Sequence, residues 1–499
     1  MSPFDRIQGA GDGVPELSPI AEDRTISPVQ SYRHGATAVS LQPSSLRFAD
    51  PGIRALYDVR SRWQSWLDVE AALAQAQAEL GIIPTEAAEI IVANAELDRL
   101  DDAAIRGGLV RTGHALVPVV WELARVCGEE AGGYVHWGAT TQNVLEAGDN
   151  LLLRQAHQIF CAQLADLLEA LADLAERGAE MAMPGRTHGQ HAVPVTFGYK
   201  VAVWIDELVR HVERLRGLED RVFVAMMGGG AGSYASLGEQ GPNVQAGMAA
   251  RLGLASAMVP SRTHGDREAE YVCTLGLMAA TQGKIANEIY TLMKQEFGEA
   301  REPVPAGTVG SSTMPQKRNP ILCQDEIADA ARLRALVPLA LEAMVTEHEA
   351  NRTTSVIMRE TLTQACVLTG DMLSRLIVIT RGLDLDPERM RANLDLTDGL
   401  ILSESIMMDL GRSLGRQTAH DLVYDAVETV LAGEATFSEA LASDSRVRDS
   451  FGDDAARRLA DPAAYTGLCA AMAKAQSVVA RSVAGELRGG LDRSRGKAS

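Results

Sequence analysis

Phe197-Gly198-Tyr199-Lys200-Val201-Ala202-Val203-Trp204-Ile205-Asp206-Glu207-Leu208-Val209-Arg210-His211-Val212-Glu213-Arg214-Leu215 decides the fold class. Phe197, Val201, Trp204, Leu208, Val212 and Leu215 step by threes and fours over several turns, which lines one face of a helix with apolar side chains. A stripe this long needs partner helices to cover it. Leu164, Leu167, Leu168, Leu171 and Leu174 form a second stripe. Trp66, Leu73 and Leu80 recur at heptad spacing within Ser61 to Leu80, with Gly81 as the stop signal. Strand-like alternation is scarce and no short repeat stands out, so the chain reads as all-α, a central bundle of long helices flanked by smaller helical domains.

Bulk properties agree. A length of 499 residues exceeds what one hydrophobic core usually organises, and 46% hydrophobic content with only 4% aromatic favours helix over sheet. A net charge of -19 argues against a general nucleic-acid surface, because phosphate binding needs clustered Lys and Arg. An anionic substrate would need a locally basic pocket. Six scattered cysteines, no Cys-x-x-Cys pair and no secretory segment at the start fit reduced thiols in a cytoplasmic protein. No apolar run reads as long enough to cross a bilayer, so no membrane partner is expected. Residues 1–46, rich in Gly, Pro, Ser and Asp, read as a flexible arm, and residues 491–499 as a flexible tail.

Gly310-Ser311-Ser312-Thr313-Met314-Pro315-Gln316-Lys317-Arg318-Asn319-Pro320 concentrates two hydroxyls, a rigid Met-Pro bend, a cation and an amide. The Pro- and Gly-rich run from Pro303 to Gly310 puts Ser311 on an irregular surface loop, and a helix resumes only after Pro320, from Ile321 to Leu336. By itself this is equally a polar turn before a helix. The segment resembles the signature of the fumarase/aspartase superfamily, Gly-Ser-Ser-x-Met-Pro-x-Lys-x-Asn-Pro, at every fixed position. His136-Trp137-Gly138-Ala139-Thr140-Thr141-Gln142-Asn143 and Gly185 to Gly198 look like the superfamily's two other regions, in the same order. The resemblance implies three helical domains: residues 47–135, a long-helix bundle over 136–388 that carries the signature loop, and residues 389–490. It also implies a homotetramer with a 20-helix core, active sites shared between three subunits, and no cofactor.

Elimination across a substituted succinate removes a weakly acidic proton beside a carboxylate and expels the group on the neighbouring carbon. It needs a base, fixed donors around the carboxylate and, for some leaving groups, an acid. The resemblance makes Ser311 the base, with Ser312 as the alternative and Met314 beside them, and makes Lys317 and Asn319 carboxylate binders. Lys317 is otherwise an ordinary solvated lysine. Thr140 and Thr141 precede a helix near Asn143, so they suit a cap; the resemblance adds carboxylate binding, and the two roles are compatible. Asn143 stands where relatives often carry Asp. His188 matches a histidine that protonates the leaving group or orients the acid, and Gln190 a substrate contact, with Arg186 alongside. His188 and His191 suggest a metal pair, but no third ligand has suitable spacing, so no metal is expected. Gly228 to Ser233 resembles a phosphate loop only loosely and reads as a flexible turn.

Two branches of the superfamily are echoed. Leu67 to Ala74, Gly81 to Pro84 and Ala115 to Val120 look like carboxymuconate cycloisomerases, while Thr187-His188-Gly189-Gln190 looks like adenylosuccinate lyase. His114 corresponds to the latter's other catalytic histidine, with Ala115 in place of the usual Asp. Where adenylosuccinate lyase holds a nucleotide phosphate with Glu-Arg-Asp-x-Ser-x-Ser-Ser-x-x-Arg, this chain has Glu349-Ala350-Asn351-Arg352-Thr353-Thr354-Ser355-Val356-Ile357-Met358-Arg359, which keeps Arg359 and Arg352 but loses the first arginine and the acid. The resemblance therefore implies a fumarate-forming lyase for another small substituted dicarboxylate. Nitrosuccinate, giving fumarate and nitrite as in the nitrosuccinate lyases of bacterial secondary metabolism, is the expected substrate. The alternatives are adenylosuccinate lyase in purine synthesis, a carboxymuconate cycloisomerase, a non-catalytic structural oligomer, and a metal-dependent hydrolase built on His188 and His191.

Overall fold

The computed structural model describes residue 45 and residues 47–304, 313–314, 316–451 and 461–495. Helix makes up 72% of the structure, as the stripes require. Five long helices, Thr141–Arg177, Phe197–Val222, Asp266–Leu292, Ile321–Glu342 and Arg352–Gly382, pack on one another, and Cys469–Arg495 lies along the first two. Every residue of the Phe197 to Leu215 stripe is at most 4% exposed, and the Leu164 to Leu174 stripe is buried as completely. The first heptad segment is the helix Val59–Glu79, which starts two residues before Ser61 because the Asp58 side chain caps it by accepting from the Ser61 N–H at 2.7 Å. Gly81 follows with φ of 69°, the left-handed stop that a glycine permits.

Two helices depart from expectation. Ile321–Glu342 runs past Leu336 and through Pro338, because Leu333, Leu336 and Ala340 keep burying one face and outweigh the hydrogen bond that the proline removes. Arg352–Gly382 corrects the membrane reading: it is long and apolar enough to cross a bilayer, yet most of its apolar stretch is buried within the protein. A helix surrounded by other helices is apolar all round, which length and composition alone cannot tell from a membrane span.

Strands are marginal among the described residues. Ala182–Thr187 pairs antiparallel with Gln190–Thr196, Val224–Ala225 with Ala255–Ser256, and Ala300–Arg301 with Asp384–Leu385. A second, smaller apolar core gathers Ile406, Leu410, Phe437 and Leu441 from the helices Ser403–Leu414 and Phe437–Ser443, together with residues of Arg416–Leu431.

The turn into the Phe197–Val222 helix is tight. The Gly198 N–H donates to the Gly178 carbonyl at 2.8 Å, and a Cβ on Gly198 would lie 2.6 Å from the Ala175 carbonyl oxygen and 2.7 Å from the Ala179 backbone. These neighbours are main chain and cannot swing aside. Gly198→Ala is expected to destabilise the protein by about 1–3 kcal/mol, read as a lower urea midpoint.

Candidate active site

Three of the long helices begin at one place. Thr141 and Gln142 from the first turn of Thr141–Arg177, His264 and Glu268 around the start of Asp266–Leu292, and Arg352 and Ser355 from the first turn of Arg352–Gly382 line a cavity of about 300 Å³. Each terminus presents main-chain N–H groups without intrahelical partners and the positive end of its helix dipole, so the convergence favours an anion.

Local sequence sets these starts. Thr140 and Asn143 form a reciprocal capping box, and the Asn143 Oδ1 accepts from the Thr140 N–H at 3.1 Å and the Gly229 N–H at 3.2 Å. An amide serves here where relatives often carry Asp. The glycine run expected to be a flexible turn is instead built in: Gly228 and Gly229 are buried, and Arg262 donates to the Gly230 carbonyl. Asn351, one of the two departures from the phosphate-binding pattern, caps its helix by accepting from the Thr353 N–H at 2.8 Å.

His114 faces the cavity from the turn before Val117–Gly132. Its Nδ1 accepts from the Leu116 N–H at 3.3 Å, and its Nε2 lies 3.4 Å from the Thr141 Oγ1. Burial lowers its pKa, helped by the charges of Arg352 and His136. The ring is therefore neutral with its proton on Nε2, directed at the Thr141 hydroxyl. His136 is the opposite case: burial disfavours its charge, but Glu70, 2.6 Å from Nδ1, outweighs that and raises the pKa.

Charge in the cavity is divided. Asp149 accepts from Arg62 at 2.7 Å and from Arg359 at 2.8 Å, which holds Arg359 ionised, and Arg352 has no ion-pair partner among the described residues. Arg262 donates from Nε to the Gln142 Oε1 at 2.8 Å, while Gln142 donates to Glu146 and, at 2.9 Å, to the Arg262 carbonyl. Burial pushes Glu146 up to about 8 and Glu268 up to about 7.

Of the residues marked in the sequence, His114, Thr141 and Arg359 meet in this cavity, with Thr140 behind them as the cap. The other marked residues that are described, His188, Gln190, Arg186, Met314, Lys317 and Asn319, do not line it. His188 and Gln190 are exposed at the tip of the Ala182–Thr187/Gln190–Thr196 hairpin, whose two turn residues, His188 and Gly189, both have positive φ. Arg186, one pair back from the hairpin turn, is already committed: it donates twice to the fully buried Glu299, at 2.7 and 3.0 Å, and lies 4.8 Å from the Phe297 ring centroid. Met314 and Lys317 are exposed, and Asn319 is half-buried. Ser311 and Ser312 lie outside the described residues. No cluster of three or more His, Cys, Asp or Glu side chains suited to a metal occurs among the described residues.

Residues 47–333 match the family model described as a lyase, and residues 399–475 match the adenylosuccinate lyase C-terminus. The chain belongs to the lyase family of the fumarase/aspartase superfamily. Full-length relatives of this lyase include the N-acetyl-S-(2-succino)cysteine lyase of Enterococcus italicus, 38% identical over 87% of this chain and 96% of that protein. The 3-carboxy-cis,cis-muconate cycloisomerase of Pseudomonas aeruginosa is 40% identical over 83% and 91%. The adenylosuccinate lyase of Methanothermobacter thermautotrophicus is 36% identical over 86% and 96%. Among solved structures, the 3-carboxy-cis,cis-muconate lactonizing enzyme of Pseudomonas putida superposes with a TM-score of 0.80 at 35% identity, covering 90% of this chain and 100% of that one. The fumarate lyase of Mesorhizobium sp. does so with a TM-score of 0.80 at 34% identity, covering 86% and 98%. The protein is thus an enzyme with the helical lyase fold, and the two branches echoed in its sequence are both among its relatives.

Sequence reading alone missed Glu146, Glu268, Arg262 and His264. Glu146 had a signal, since it follows Gln142 at i,i+4 on a helix face already marked by Thr141. Glu268, Arg262 and His264 come from a separate helix and its lead-in, over a hundred residues away, with no local pattern to mark them.

Proposed function

We propose that this lyase eliminates a small leaving group from a 2-substituted succinate to give fumarate. The observation that carries the reading is the meeting of three helix N-termini with Thr141, Arg352 and Arg359 around one cavity, a site suited to a dicarboxylate whose charge grows in the transition state. Ser311 is the proposed base, and Lys317 and Asn319 are the donors that hold the carbanion's carboxylate. None of Lys317, Asn319, His188 or Gln190 lines the cavity of its own chain, which supports a homotetramer in which neighbouring copies contribute them.

Nitrosuccinate, releasing nitrite, is the substrate favoured by the loss of phosphate-binding residues at Ala350 and Asn351. A second reading, a succinylated thiol, is favoured by the 38% identity to N-acetyl-S-(2-succino)cysteine lyase. Incubating the purified enzyme with nitrosuccinate, N-acetyl-S-(2-succino)cysteine and adenylosuccinate, and following fumarate by its ultraviolet absorbance, separates the possibilities. Fumarate with stoichiometric nitrite is the expected result. Faster turnover of adenylosuccinate than of either smaller substrate would overturn the small-leaving-group reading.

A further inference from the structure

Glu146 has no ion-pair partner among the described residues, although arginines line the same cavity. Asp149 takes up Arg62 and Arg359, and Arg262 directs its Nε to Gln142 and its Nη1 to the Gly230 carbonyl. Glu146 is left with a single neutral donor, the Gln142 amide, on its Oε1. The second carboxyl oxygen has no hydrogen-bond partner among the described residues and belongs to a half-buried side chain that lines the cavity.

Its surroundings favour the acid over the carboxylate. Glu268 faces it from the Asp266–Leu292 helix and Asp149 from its own helix, both adding negative charge to a poorly hydrated place, and only the Gln142 hydrogen bond and the Arg262 charge oppose this. Burial is the largest cause and leaves the group protonated up to about pH 8. The remaining titratable walls do not change the balance. His114 is neutral, Arg359 is paired, Arg352 lies at the start of its helix, and His264 has an unpartnered Nδ1. A second acceptor waits one turn further along: Asn150 is 5% exposed and lines the cavity, its Nδ2 donates to the Val224 carbonyl at 2.8 Å, and its Oδ1 has no partner among the described residues. Both groups line the cavity from one helix, with Asn150 four residues after Glu146.

We propose that Glu146 is the proton donor to the leaving group. This rests on the fumarate-forming reading, and it gives the acid role that His188 was expected to fill to a side chain already in the cavity. As the base removes the C–H proton, that electron pair becomes the new C=C bond. The pair of the breaking C–X bond leaves on X, which takes the proton from the Glu146 carboxyl. Glu146 is left as a carboxylate and recovers its proton from solvent water after the products leave. No other reactant is required.

The test is Glu146→Gln, a near-isostere that keeps the Gln142 hydrogen bond but has no acidic proton, assayed on 2-substituted succinates that release nitrite, a thiol and an amine. General acid catalysis contributes about 10²–10⁴-fold, so the loss is expected at that level for amine and thiol release and at least about tenfold smaller for nitrite, a stable anion that needs little protonation. The wild-type rate of thiol release should fall above about pH 8, and the variant should lack that limb. Glu146→Asp, which keeps an acid, should recover part of the thiol-releasing rate and serves if the Gln variant does not fold. An equal loss for all three leaving groups, no loss, or an unchanged alkaline limb overturns the assignment while leaving the lyase reading intact. A wild-type enzyme that makes fumarate from none of the three overturns that reading, and the role of Glu146 with it.

Discussion

Arg375→Ala is expected to lower stability by about 3–5 kcal/mol, the largest effect of any single truncation considered for this fold. Arg375 is 0% exposed, and its guanidinium sits 3.0 Å from Glu326 and 3.0 Å from Asp329, themselves 0% and 2% exposed. Burial disfavours the arginine's charge, but the two acids outweigh that and keep it ionised. The Phe48 ring covers the group from another side, its centroid 5.5 Å from the guanidinium carbon. Removing the side chain leaves two carboxyls without a counter-charge between the helices Ile321–Glu342 and Arg352–Gly382, and they must either take up protons or draw water into the core. A domain's whole stability is typically about 5–15 kcal/mol, so the variant should show a greatly reduced urea midpoint or fail to accumulate as folded protein. A loss below about 1 kcal/mol would mean that the acids are already neutral and the pairing adds little.

Ser311→Ala is expected to lower the rate of fumarate formation by about 10²–10⁴ while leaving stability almost unchanged. The two effects separate because the substitution removes one hydroxyl and no carbon from the side chain. Ordinary serine is too weak a base to remove a carbon-bound proton, so its hydroxyl must be activated by the donors the signature supplies. Lys317 and Asn319 are the adjacent candidates, and Ser312→Ala is the control that tells the two hydroxyls apart. Steady-state kinetics on whichever succinate the wild type turns over, with circular dichroism to verify folding, gives the answer. Retention of more than about a tenth of the wild-type kcat by Ser311→Ala would remove Ser311 as the base.

The helices were legible because their signal is local and periodic. Phe197, Val201, Trp204, Leu208, Val212 and Leu215 mark one face by spacing alone, and that face is buried. A helix start was legible at Thr140, where the threonine pair reads as a cap, but not at Asp58, whose cap starts the Val59–Glu79 helix two residues before Ser61. Arg352–Gly382 was passed over when no apolar run read as long enough to cross a bilayer, and length and composition alone would not have told its burial by protein from burial by lipid. The glycine run at 228–233 was misread because the contacts that hold it, from Asn143 and Arg262, come from distant parts of the chain.

For the site, sequence determined the chemical inventory: the signature loop, the threonine pair, and the histidines at 114 and 188 are each readable where they stand, because each motif is a short run whose residue types do the work. Only the tertiary structure decided which of them share a cavity. His114, Thr141 and Arg359 converge because three helices start together, whereas His188 sits on a hairpin tip and Arg186 is taken by Glu299. It also decided protonation, since whether Glu146 carries its proton depends on burial and on Glu268 and Asp149 nearby. Electrostatic energy follows distance and local dielectric in three dimensions, and separation along the chain fixes neither.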